Sequence, residues 1–326
     1  MREKKRVLVT GGLGGLGKHI SKTLSDSGMV VKILDLNINK YARWFPKDCI
    51  FQGDITKPST YRHLLSDLDA VIHTAFLVMP QVETDPRAYE INVGGTQTLI
   101  KELEQENPNC RFIFTSSVAV FGSTSALSPP IPESQEINPN DVYSTHKAEC
   151  EKLITTSKLE NWIILRLALA PYIEVTLSPK LLDVMLQTPA DQRTEIIHVK
   201  DVALACKNAV SVPADYANKV YLIGGGSPCQ IYYYDLIERL FEFFSLPPPP
   251  RAKFSLKPAG IDWYDTTHSQ KILQYQTRTF DNYLEDVQKA FGRKKVLLRL
   301  MAPVSRMYMA RSFQKLPNNK IDEINN

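Results

Sequence analysis

The chain has 326 residues, 43% of them apolar and 23% charged, proportions of a globular enzyme with room for one large α/β domain or two smaller ones. Its formal net charge of +4 is small for this length and does not suggest a nucleic-acid partner. No window has the apolar length of a membrane span, and Val7–Thr10 is too short for a signal-peptide core, so a cytoplasmic address is expected.

The cysteines (Cys49, Cys110, Cys150, Cys206 and Cys229) are odd in number, scattered and never in a CxxC arrangement. They read as buried small hydrophobes in a reducing compartment, with no disulfides and no metal site.

The first predicted strand, Arg6–Thr10, runs straight into Thr10-Gly-Gly-Leu-Gly-Gly-Leu-Gly17, five glycines in seven residues. Between a strand and a helix, the pattern T-G-x-x-G-x-x-G is a phosphate cradle. Gly11 allows the tight turn, Gly14 lets a pyrophosphate approach the backbone, and Gly17 lets the helix pack on the strand. The N–H groups of the helix start, around Leu16 and Gly17, then face the phosphates. Asp35 closes the second strand, 18 residues after Gly17, where a carboxylate accepts hydrogen bonds from an adenosine ribose and disfavours a 2′-phosphate. NAD is therefore expected over NADP.

Further strands are predicted at Met29–Asp35, Cys49–Gln52, Ala70–Ala75, Arg111–Ser116 and Trp162–Leu167, with helical stretches between them at Pro58–Leu68 and Ala88–Glu106. The strands are apolar throughout with no period of two, as in a parallel sheet buried on both faces. Beyond Arg166, residues 171–193 look irregular. A strand-like piece at Glu195–His198, a helix at Val199–Val210 and a strand at Lys219–Ile223 follow. Four prolines in Leu246–Arg251 make an extended connector. This order predicts an α/β fold of Rossmann type, a doubly wound parallel sheet with a smaller, discontinuous C-terminal substrate-binding cap. Residues 1–168 form the nucleotide-binding domain, with 195–224 returning to it, and 169–194 and 225–326 form the cap.

Two more stretches carry chemistry. Ser117 ends the fifth strand, at the carboxyl edge where ligands of such sheets bind. Tyr143 and Lys147 stand in Y-x-x-x-K spacing, one turn apart on one helix face. An ammonium near a phenol lowers its pKa from about 10 and suits it to proton exchange with a substrate hydroxyl. Taken singly, His73 reads as a packed strand-end residue and Asp201 as a structural cap or ion-pair partner.

With TGGLGGLG (10–17), Asp35, GDI (53–55), VIHTA (71–75), EINVGGTQTLI (90–100), FTSSVAVFG (114–122), Tyr143/Lys147 and HVKDVA (198–203), the chain resembles an extended short-chain dehydrogenase/reductase of the NAD-dependent epimerase/dehydratase family. The resemblance implies that Ser117, Tyr143 and Lys147 are the catalytic group. It also implies that Asp54 and Ile55 flank the adenine and that the stretch His73–Ala75, with Thr74 and Ala75 as cofactor contacts, passes under the cofactor. Asn92 and Thr115 belong to the same cofactor site, and Ala168 approaches the nicotinamide. A homodimer through the helices bearing Asn92 and Tyr143 is a further implication.

The chain also departs from that pattern. Only 31 residues separate Arg166 from His198, which leaves little room for a second nucleotide, and Ala170-Pro171-Tyr172 replaces the family's tyrosine-glycine-proline. Val118-Ala119 stands where dehydratases carry an acidic pair. The leading expectation is hydride transfer between nicotinamide and a small or lipid-like alcohol or ketone. The alternatives are a sugar or nucleotide-sugar epimerase that retains its cofactor, and a non-catalytic NAD sensor. Specificity is assigned to the loops at 76–83, 123–132 and 171–193 and to the proline-rich rim at 246–251. The basic stretch 293–313 is expected to pack on the cap or a neighbouring subunit, with weak interfacial membrane contact as the alternative.

Overall fold

The computed structural model describes residues 4–174 and 179–292. The stretch 293–313 lies outside them.

Among the described residues, seven strands form one parallel sheet: β1 (Arg6–Thr10), β2 (Val30–Asp35), β3 (Ile50–Gln52), β4 (Ala70–His73), β5 (Arg111–Ser117), β6 (Trp162–Leu167) and, after a short strand β7 (Arg193–Glu195), β8 (Lys219–Ile223). Their spatial order is β3-β2-β1-β4-β5-β6-β8, so the winding reverses between β1 and β4. At such a reversal the loops leaving the two strands part, and a crevice opens beyond the carboxyl ends.

The continuous apolar runs are explained by the two layers they serve. In β1, Val7 and Val9 enter one core, with Ile20 and Leu24 of α1 (Gly17–Asp26), while Leu8 enters the other. Strand β5 repeats this, with Ile113 on one side and Phe112 and Phe114 on the other. Successive side chains point to opposite faces, so a sheet covered on both faces needs every position apolar.

A helical turn, α2 (Gln81–Thr84), and the helices α3 (Gly95–Glu106) and α4 (Val142–Thr155) follow in the chain. The expected strands of the large sheet hold to within two residues at their ends, but the one expected at Glu195–His198 does not: the strand is Arg193–Glu195, Ile196 makes only an isolated bridge to Leu169, and the His198 side chain caps the helix that starts at Val199. Two expected helices also differ. Residues 58–64 form two 3₁₀ turns, because the Thr60 hydroxyl bonds the Lys57 carbonyl and the Asp54 amide and competes with helical bonding. Ahead of α3, Glu90–Gly94 is a π turn.

The second layer and the cap are built from α5 (Pro179–Leu186), α6 (Val199–Ser211), strand β9 (Gln230–Tyr232), α7 (Tyr233–Phe243), α8 (Thr267–Leu273) and α9 (Phe280–Phe291). Helix α5 falls in the segment expected to be irregular. Its apolar residues Leu182, Met185 and Leu186 pack on the cap core, a tertiary contact that the local sequence does not reveal. Strands β7 and β9 pair antiparallel, and α7 and α9 join them in a core of their own around Phe241, Phe280 and Val287. No helix among the described residues is long and apolar enough to cross a membrane.

Candidate active site

A cavity of about 600 Å³ lies over the carboxyl ends of β1, β4, β5 and β6. Gly11, Gly14, Leu16, Gly17, Asp35, Asp54, Ile55, Thr74, Ala75, Thr115 and Ala168 all line it, as do Ser117, Tyr143 and Lys147. The exception is Asn92. It is fully buried off the cavity wall, its amide spent on the Leu77 backbone: the Leu77 N–H donates to Asn92 Oδ1 (2.7 Å), and Asn92 Nδ2 donates to the Leu77 carbonyl (3.0 Å). Asn92 therefore holds the 76–78 loop in place and does not face the cavity. The π turn at Glu90–Gly94 is what presents it.

At the phosphate end the glycines are sterically required. Gly11 has φ +64°, and a Cβ on it would lie 2.8 Å from the Ala75 backbone. A Cβ on Gly17 would lie 2.0 Å from the Gly11 carbonyl oxygen. Helix α1 begins at Gly17 with Leu16 as its N-cap residue and no side-chain cap, so no side chain stands between its N-terminus and a ligand. Asp35 is positioned by two backbone donors, Leu13 N–H (2.9 Å) and Asn37 N–H (3.1 Å). An uncapped helix start, an approachable backbone and a fixed carboxylate at the end of β2 fit a dinucleotide.

At the other end, Ser117 is the last residue of β5, and its hydroxyl accepts from Ala119 N–H (3.2 Å). Asp141 and Ser144 form a capping box that starts α4 just before Tyr143. One turn on, Lys147 is buried, with Nζ donating to the Thr115 carbonyl (2.7 Å) and lying 3.5 Å from the centre of the Phe76 ring. Burial pushes the Lys147 amine down to about 7.

Burial also pushes the Tyr143 phenol up, against a smaller opposing effect from its hydrogen bond with Ser117. This corrects the expectation that Lys147 lowers the phenol's pKa within the protein's own framework. The amine sits 5.8 Å from the Tyr143 ring centre, among aromatic faces, and is turned toward Thr115.

His73 is buried and bonded on both ring nitrogens, to the Thr10 hydroxyl (2.7 Å) and the Thr96 hydroxyl (2.9 Å). Burial, with repulsion from Lys147, holds it neutral, with its pKa lowered to about 3. Asp201 is likewise structural, accepting from the backbone N–H groups of Thr277 and Arg278.

Several contributors lie outside the glycine and catalytic motifs. Phe76 packs on Lys147. The Tyr172 ring lies against Gly15, and Lys18 pairs with Glu174 (2.8 Å), so the loop after β6 is tied to the glycine loop. Beneath Ser117, Glu151 pairs with Arg166 (2.7 Å) and accepts from the Ser116 hydroxyl (2.5 Å), which fixes α4 to the ends of β5 and β6.

Comparisons with known proteins agree with this geometry. The chain is 33% identical over 156 residues to a D-erythronate dehydrogenase of Haemophilus influenzae, covering 46% of this chain and 49% of that protein. It is 32% identical over 154 residues to a UDP-glucose 4-epimerase of Lactobacillus helveticus, covering 46% of each. The matched stretches thus span about half the length of these curated relatives.

Among solved structures, a short-chain dehydrogenase/reductase superfamily protein of Agrobacterium tumefaciens with bound NAD superposes with a TM-score of 0.69 at 18% identity, covering 92% of this chain and 100% of that one. A UDP-glucose 4-epimerase of Thermotoga maritima with UDP-glucose gives 0.71 at 18% identity, covering 89% and 99%. These two likenesses establish the fold. The model of the NAD dependent epimerase/dehydratase family matches residues 7–224, all but the first residue of the seven-stranded sheet together with the glycine loop. On that match, and on a cavity whose residues fit the dinucleotide, the chain belongs to the NAD dependent epimerase/dehydratase family, whose cofactor is NAD.

Proposed function

We propose that the protein is an NAD-dependent oxidoreductase that interconverts a secondary alcohol and a ketone. The observation that carries this reading is that the Ser117 hydroxyl, the Tyr143 phenol and the Lys147 amine line the same cavity as the glycine loop and Asp35. In the oxidation direction, Ser117 holds the substrate oxygen and Tyr143, as the phenolate that the positive charge of bound NAD would favour, takes the hydroxyl proton on Oη. Lys147 holds the nicotinamide ribose. NAD, when bound, supplies the hydride acceptor. The apolar cluster around Tyr143 and Lys147 excludes water and strengthens each polar contact.

The substrate end favours an uncharged molecule. Its walls include Leu77, Val78, Val118 and Ala119. Arg87 also lines the cavity, but it sits near Asp54 at the adenosine end and pairs with Glu90 (3.1 Å). Among the described residues the cations lining the cavity are Arg87 and the buried Lys147, whose hydrogen bond goes to the Thr115 carbonyl.

The rival reading, an epimerase with retained cofactor, draws on the relatives named UDP-glucose 4-epimerase. Net growth of the NADH absorbance band with secondary alcohols, and none with UDP-sugars, is the outcome the dehydrogenase reading requires. UDP-sugar turnover without net absorbance change overturns it.

A further inference from the structure

One wall of the substrate end comes from the cap, at Ile261. The segment carrying it lies on the 3₁₀ turn Val118–Phe121 that follows Ser117. A Cβ on Gly260 would stand 3.3 Å from the Gly122 carbonyl oxygen and 3.4 Å from Ala119 Cα. The segment is pinned there through its neighbour. The Asp262 carboxylate, fully buried, accepts Arg193 Nε (2.6 Å) and Nη2 (2.9 Å), the Thr124 hydroxyl (2.8 Å) and the N–H of Trp263 (2.8 Å). Arg193 Nη2 also donates to the Leu127 carbonyl (2.9 Å), and Gln192 Nε2 donates to the carbonyl of Ile261 itself (2.7 Å).

A buried carboxylate is costly unless it is paired and hydrogen-bonded. Here a forked guanidinium and two further donors meet that need, and they can do so in only one relative placement of three chain segments: β7, the loop after Phe121, and residues 259–263. Isoleucine adds stiffness of its own, because its branched Cβ restricts χ1. The cap thus presents a fixed apolar surface to the cavity that holds Ser117 and Tyr143.

We infer that Ile261, held in place through Asp262 and Arg193, sets the size limit for an uncharged, apolar alcohol or ketone at this site. The inference rests on the oxidoreductase reading and names its substrate class. Ile261 is then the specificity-determining residue, and Asp262 is a positioning residue that acts through it.

The test uses the full chain with bound NADH, titrated with 2-alkanones of increasing length and followed by nicotinamide fluorescence. Affinity should rise with length to a limit and then fall. Ile261→Ala should move that limit to ketones longer by roughly two or three carbons and weaken the short ones by about tenfold, the scale of a small change in pocket contacts. Asp262→Asn, provided its melting transition remains cooperative, should blunt the limit while leaving NADH affinity as it was. The same length profile in the native chain and in Ile261→Ala overturns the inference, as does failure of every alkanone to bind. Loss of NADH absorbance is read separately in the same samples. Ketones that bind without being reduced count against the oxidoreductase reading, while the length profile still decides the role of Ile261.

Discussion

Lys147 Nζ stands 3.5 Å from the centre of the Phe76 ring, and its hydrogen bond goes to the Thr115 carbonyl. The residue expected to tune Tyr143 is thus stored on an aromatic face in the interior, and its charge carries a desolvation cost.

That cost gives a pH signature. The folded-state pKa of Lys147 is depressed to about 7, against about 10.4 for an exposed lysine. Between those values the unfolded chain binds more protons than the folded one, so this group makes stability rise with pH through the window and fall as pH drops toward 7. Lys147→Met should flatten that rise and be more stable than the native chain near pH 7. Urea midpoints measured from pH 7 to 10 check it.

Tyr143→Phe keeps the ring and its edge-on packing against Phe76 (5.9 Å between centres) but removes the proton acceptor. Turnover should fall by about a hundredfold or more, the usual contribution of general acid–base catalysis, with NAD affinity nearly unchanged. Steady-state rates alongside calorimetric NAD titration test this.

Asp35→Asn should weaken NAD binding by roughly tenfold or more, because hydrogen bonds to a charged acceptor are the stronger kind. It should also narrow the discrimination against NADP, because the repelling carboxylate is gone. Leu13 N–H bonds Oδ2 and Asn37 N–H bonds Oδ1, so the single amide oxygen of asparagine keeps one of these two bonds and the loop should loosen at the other. Paired titrations with the two cofactors give the ratio.

Glu151→Gln should destabilise the fold by about 3 kcal/mol or more, because it leaves the Arg166 guanidinium buried without its counter-charge. Replacing both residues with well-packed apolar side chains should cost much less. Denaturant unfolding of the single and double variants separates the outcomes.

Gly15→Ala would bring a Cβ within 2.5 Å of the Tyr172 ring, so it should displace the loop after β6 and weaken NAD binding. Tyr172→Ala in the same chain should restore part of the loss. Without that restoration, the contact between the loop and Gly15 is not what the substitution disturbs.

The sequence by itself determined the sheet and the chemistry placed at its edge. Strand runs, the glycine spacing, Asp35 and the Tyr143–Lys147 turn are local patterns, written in contiguous residues by steric and periodic rules. Tertiary structure alone decided how those groups are held and what faces them. Whether Lys147 points at Tyr143 or Thr115 depends on Phe76, 71 positions away in the chain. Asn92 serves the Leu77 loop because a π turn rotates it off the cavity wall. The cavity wall at Ile261 arises from Arg193, Thr124 and Asp262, which share no sequence pattern and meet only where residues 259–263 pack on the turn after Ser117. Pairings between distant segments leave no periodic trace, because each partner is an ordinary polar residue until burial makes its bonds obligatory.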